Sequence, residues 1–136
     1  SLTAGAVRGA YGLTLAPDRT LSEVETEQPR AIVLPGAIQA ARQLNADPRV
    51  HILLRRVAEQ GGYVVAFDAA YTVLRSAGLV PNGEPSGEET ARAPLSGWHS
   101  GDIPSERVLL EGPVVFGRDS GAAQEVALTL VSLLES

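Results

Sequence analysis

Gly62-Tyr63-Val64-Val65-Ala66-Phe67-Asp68-Ala69-Ala70-Tyr71-Thr72-Val73-Leu74 decides how this chain folds. Its first part, Tyr63–Phe67, is a short apolar run without alternation, the pattern of a strand buried on both faces of a parallel sheet. A helix is expected over residues 69–77, closed by Gly78. Asp68 stands at the junction and is the only charged residue between Glu59 and Arg75. It therefore belongs at the carboxyl edge of the sheet, where open α/β sheets bind ligands. Strand–elbow–helix hydrolases seat their nucleophile at this corner. A carboxylate in that seat locates a site more sharply than it names a reaction.

Upstream lies the helix with the clearest boundaries. Asp47 is a natural N-cap, Pro48 suits the first helical position, and Gly61 supplies the residue that ends the helix. Val50, Leu53, Leu54 and Val57 fall at i, i+3, i+4 and i+7 and make one apolar face. His51 is placed off that face, at the surface, and Arg55, Arg56 and Glu59 are expected to face water. Ala31–Leu34 reads as a second buried strand. It ends at Pro35-Gly36-Ala37, a tight turn whose amides can be left facing a ligand, and a short helix over residues 38–44 follows. Strand, helix, strand, helix in this order is a βαβα unit with a right-handed crossover.

Outside this unit the signals are shorter. Residues 2–7 and 12–16 read as extended pieces, the second stopping at Pro17-Asp18, and residues 21–27 as one helical turn or a loop. Residues 81–105 concentrate Pro81, Pro85, Pro94 and Pro104 with several glycines, a loop of a length that is usually functional or mobile. It carries the only tryptophan, Trp98, beside His99. Residues 107–110 and 113–116 read as a hairpin, with Pro113 marking a strand start or edge. The last helix runs to about Glu135, capped by Asp119 or Ser120, with Ala123, Val126, Ala127, Leu130 and Leu134 as its apolar stripe.

Composition narrows the function. At 136 residues and 44% apolar content the chain suits one domain with one core, here residues 1–136 together. The formal net charge of −5, with no basic cluster, argues against nucleic acid. No apolar run approaches the roughly 20 residues of a membrane span, and no signal-peptide pattern is visible, so the expected setting is the cytoplasm. The absence of cysteine excludes disulfides, thiolate catalysis and Cys-ligated zinc. His51 and His99 have no spaced carboxylates that would complete a metal set. No metal and no cofactor is expected.

Four motifs in order carry a family resemblance: Gly12-Leu-Thr-Leu-Ala-Pro17-Asp18, Ile32-Val-Leu-Pro35-Gly36, the elbow at Asp68, and Phe116-Gly-Arg118-Asp-Ser-Gly121 opening the last helix. Together they resemble the ThiJ/PfpI family of the class I glutamine amidotransferase-like superfamily, over nearly the whole chain. The resemblance implies an α/β, flavodoxin-like parallel sheet with helices on both faces, often dimeric. It implies that the family's elbow cysteine aligns with Asp68, its substrate-cradling amides with Gly36 and Ala37, and its loop before the last helix with residues 117–121. It also implies three departures. The thiol is a carboxylate, so glyoxalase-type and redox chemistry lose their essential atom. The stretch matching a family histidine, residues 85–90, offers Glu88 and Glu89 instead. The family's first strand and helix are missing from this chain, which otherwise leaves strands unpaired and apolar surface bare; the expectation is an upstream βα segment, cleaved away or supplied by a second chain.

Asp68 has a structural reading, a helix cap that also tolerates an elbow's positive φ, and a functional one as nucleophile or general base. Amide donors at a helix start are expected to lower its pKa. The residues expected to meet a ligand are Gly36, Ala37, Ala69, Tyr71, His99 and Arg118. All but Ala69 have a plainer alternative: a tight turn for Gly36-Ala37, packing for Tyr71, an exposed loop for His99, a surface ion pair for Arg118. The leading functional expectation is a domain without cysteine chemistry that binds a small molecule or regulates. The alternatives are a hydrolase or hydratase using Asp68, and a structural subunit, in a homodimer or completed by another chain.

Overall fold

A computed structural model of the chain describes residues 1–80 and 107–136. The first strands, β1 (Val7–Arg8) and β2 (Thr14–Leu15), form an isolated antiparallel pair. The strand expected over residues 2–7 is thus shorter and later, because it pairs only where β2 faces it. Then come α1 (Leu21–Val24), β3 (Ala31–Leu34), α2 (Ile38–Asn45), α3 (Pro48–Glu59) and β4 (Tyr63–Phe67). A 3-10 turn over Asp68–Ala70 leads into α4 (Tyr71–Ser76). After the undescribed residues follow β5 (Val108–Glu111), β6 (Val114–Gly117), a second 3-10 turn over Ser120–Ala122 and α5 (Ala123–Glu135).

The main sheet has the order β3-β4-β6-β5. β4 runs parallel to both its neighbours, with Leu34 opposite Ala66 and Phe67 opposite Gly117. β5 folds back antiparallel on β6 through Gly112, whose φ of 55° gives the tight turn. The central strands bury both faces, as their unbroken apolar runs require. Val64, Ala66, Val114 and Phe116 point into the larger core with α2, α3 and α4. Val65 and Val115 point the other way, against Ala122 and Val126 at the start of α5. The doubly covered, mostly parallel α/β sheet read from the sequence is the fold observed.

α3 forms where its signals place it. The Asp47 carboxylate accepts from the Arg49 amide at 3.0 Å and pairs with the Arg49 guanidinium at 2.7 Å, and these bonds hold its pKa below the usual range. Gly61 follows the helix at φ 81°. Three details depart from the sequence reading. His51 is buried, only 8% exposed, because α2 ends against it, and its Nε2 donates to Asn45 Oδ1 at 2.9 Å. Arg56 is half-buried and donates to the Glu27 carbonyl at 3.1 Å. On α5, Ala123 and Ala127 are exposed; the inward face is Val126, Leu130 and Leu133, set by Ala122 entering the core one position earlier.

Burial lowers the His51 pKa, with the charge of Arg55 adding to the effect. A folded pKa below the unfolded one means the neutral ring's stabilisation is complete above the unfolded value of 6.5 and is lost as pH falls through the folded value. The stability difference between wild type and His51→Gln, measured in urea, is expected to shrink as pH is lowered from 7.5 to 5.0. A difference that stays constant or grows excludes the buried neutral histidine.

Candidate functional site

The carboxyl ends of three adjacent strands converge on one cleft. β3 ends at Leu34 and passes into Pro35-Gly36-Ala37; β4 ends at Phe67 and turns at Asp68; β6 ends at Gly117 and passes through Arg118 to Asp119 and Ser120. The cleft holds about 380 Å³ and is lined by Gly36, Ala37, Phe67, Asp68, Asp119, Ser120 and Ala123. Glycine lets these ends approach. A β-carbon at Gly36 would stand 3.0 Å from the Phe67 carbonyl oxygen and 3.1 Å from Asp68 Cβ, tighter than most side-chain contacts in folded proteins.

Asp68 is the only described non-glycine residue with a positive φ, at 47°. Short polar residues tolerate this left-handed conformation better than others do, though at some cost. Asp68 is inside the 3-10 turn as its first residue; the capping position belongs to Phe67, and no side chain caps the turn. Its carboxylate is thereby removed from the turn's amides. Burial pushes the Asp68 pKa up, and the negative charge of Asp119 pushes it further. The expected downward shift is therefore reversed, because desolvation and a like charge act where amide donors were anticipated.

Asp119 is the second carboxylate of the cleft. Its Oδ1 accepts from the Gly121 amide at 2.8 Å, and its Oδ2 lies 3.4 Å from Arg118 Nε. The sequence offered Asp119 and Ser120 as caps and, through the resemblance, as part of the loop over residues 117–121, but named neither as meeting a ligand and overlooked Phe67 as a wall. The available signal was position: Asp119 follows a strand that must lie beside β4.

The other anticipated residues separate. Gly36 and Ala37 line the cleft. Ala69 is fully buried in the larger core and is not among the lining residues. Tyr71 is half-buried, its ring edge-on to Phe116 with centroids 4.9 Å apart. The Arg118 side chain is exposed beside Asp119. His99, Trp98, Glu88 and Glu89 lie outside the described residues. Among the described residues no group of three or more His, Asp or Glu is arranged to hold a metal, and no helix is long and apolar enough to cross a membrane.

The DJ-1/PfpI family model matches residues 1–133. The chain belongs to the DJ-1/PfpI family. The protein DJ-1beta of Drosophila melanogaster is 26% identical over 129 residues, which cover 95% of this chain and 68% of that one. Its crystal structure superposes with a TM-score of 0.71 at 25% identity, over 92% of this chain and 67% of that structure. The Parkinson disease protein 7 homologue of Danio rerio is 26% identical over 121 residues, 88% of this chain and 64% of its own length. A DJ-1 superfamily protein of Salmonella typhimurium superposes with a TM-score of 0.74 at 25% identity, over 98% of this chain and 72% of that structure. The ThiJ/PfpI resemblance and the flavodoxin-like architecture drawn from four sequence motifs are those of this family. The chain spans about two thirds of the length of these DJ-1/PfpI relatives.

Proposed function

We propose that this DJ-1/PfpI domain binds a small hydrogen-bond-donating or cationic molecule in the cleft at Asp68, without a thiol step. The observation that carries this reading is the meeting of Asp68 and Asp119 with the Gly36-Ala37 turn in one cleft of about 380 Å³, near the lower end of small-molecule sites. Two carboxylates favour amines and polyols over anions. Ligand binding also gives a reason for a carboxylate to sit at a strained, partly desolvated corner, since such positions cluster at working sites.

The test is a titration of ethanolamine, glycerol, acetate and phosphate into labelled protein, followed by amide NMR. Ethanolamine is expected to shift the Gly36, Ala37 and Ser120 amides. Its affinity should rise with pH as Asp68 ionises through its raised pKa, since the cation favours the charged carboxylate. Asp68→Asn should weaken binding about tenfold or more. Shifts from acetate or phosphate alone, or an Asp68→Asn variant that binds ethanolamine unchanged, would refute the reading.

The raised Asp68 pKa also favours a second reading, a hydrolase or hydratase in which this carboxyl transfers protons. It requires turnover of a carbonyl, ester or alkene substrate that vanishes in Asp68→Asn while the cleft amides still respond to glycerol.

A further inference from the structure

We propose that the amino-terminal rim of the sheet carries a second binding site, for a small carboxylate anion held by Arg30. It lies at the opposite end of β4 from the Asp68 cleft and does not rest on the reading of that cleft.

A cavity of about 230 Å³ opens where β3 and β4 begin, between the chain leading into β3, the turn from α3 into β4 and the end of α5. Two glycines fix its floor. Gly61 follows α3 at φ 81°, a left-handed turn that glycine makes without strain. Gly62 runs so close to its neighbours that a β-carbon there would stand 3.0 Å from the Arg30 carbonyl oxygen and 2.6 Å from Val57 Cγ1. The Arg30 carbonyl accepts from the Tyr63 amide at 2.9 Å. The backbone under Arg30 is thus held in register with β4, and its side chain starts from a fixed point.

The chemistry of the walls is one-sided. Among the described residues Arg30 is the only charged one lining the cavity. Its guanidinium gives an N–H to the Leu134 carbonyl and forms no ion pair among the described residues, so most of its five donors remain free for a ligand. The carboxamides of Gln28 and Gln60 and the Tyr63 hydroxyl, also on the walls, make no hydrogen bond among the described residues. More positive charge stands beside the same segment. Arg56, one turn before Gln60, donates to the Glu27 carbonyl at 3.1 Å and has no carboxylate partner among the described residues. Its buried Nε has no acceptor, a donor whose cost a nearby negative charge reduces. The Glu27 carboxylate pairs with Arg19, and Glu59 and Glu135 do not line the cavity.

Size and shape select among anions. About 230 Å³ is smaller than the usual site for a drug-sized ligand, so the occupant has only a few heavy atoms. A guanidinium presents paired N–H groups that match a planar carboxylate. Pro29, Leu134 and the Tyr63 ring offer apolar surface to a short alkyl chain.

The test is NMR of the labelled full chain with sodium propionate, propionamide and propylammonium chloride, which share a three-carbon chain and differ in charge. Propionate is expected to shift the Gly61, Gly62 and Tyr63 amides and the Arg30 Nε–H, to saturate in the millimolar range, and to leave Gly36, Ala37 and Ser120 in place. Arg30→Gln removes the charge but keeps a donor for the Leu134 carbonyl; it should weaken binding about tenfold or more, with the folded spectrum retained. Arg30→Lys keeps the charge without the paired donors and should fall between the two. The proposal is overturned if propionate moves none of these signals, if propionamide moves them at the same concentrations, or if Arg30→Gln binds propionate as the wild type does. Propionate shifts confined to Gly36, Ala37 and Ser120 would overturn it too, and would assign the anion to the Asp68 cleft.

Discussion

Phe116→Ala is expected to cost about 3–5 kcal/mol, the largest loss from a single truncation among the described residues. Among the described residues Phe116 is the largest fully buried side chain. It lies on β6 between β4 and β5, opposite Ala66 and Leu109, and its ring meets the edge of Tyr71. Ala66 and the nearby Ala69 and Ala70 are already small, and strands on both sides fix the backbone, so little can move in to fill the space. A domain of this size has only about 5–15 kcal/mol in hand, so the variant should sit close to unfolding at physiological temperature. Urea denaturation with an unchanged slope would check it. A loss below about 1 kcal/mol would mean that Phe116 is not the centre of the larger core.

The second large effect is expected from a smaller change. Gly117→Ala places a β-carbon 2.7 Å from two ring atoms of Phe67 and 2.9 Å from Val126 Cγ2. Neither neighbour can retreat freely, because Phe67 ends a central strand and Val126, on α5, is buried against Val65 and Val115 of the sheet. Overpacking of this kind costs about 1–3 kcal/mol. The consequence is also local, since Phe67 is both a wall of the cleft and the residue before Asp68. Amide NMR of Gly117→Ala should show shifts at Gly36, Asp68 and Ser120 beyond those near the substituted residue. A variant of native stability with an undisturbed elbow would show that the Phe67 ring has room to move aside.

The parts legible in the sequence were those fixed by local chemistry. Asp47-Pro48 and Gly61 bounded α3, and the unbroken apolar run Tyr63–Phe67 could only be a strand covered on both faces. Gly36 was found as a turn residue, though its closer reason, contact with Phe67 and Asp68, is a tertiary fact. The readings that failed depended on what lay across a gap. His51 is polar on a polar helix face until the end of α2 packs over it and Asn45 answers its Nε2. The Asp68 pKa needed the register that brings β6, and with it Asp119, alongside β4. The α5 stripe was shifted because the 3-10 turn before it buries Ala122 and so resets the inward face.

The left-handed corner at position 68 also limits how this domain could change its chemistry. Asp68→Cys would put a sulfhydryl at the elbow, but on a residue that accepts φ 47° less readily than aspartate. The new thiol would inherit the same partly enclosed setting and the same acidic neighbour, both of which disfavour thiolate. Neutralising Asp119 would ease only the smaller of these two effects, and it would remove the carboxylate whose Oδ1 accepts from the Gly121 amide in the turn ahead of α5.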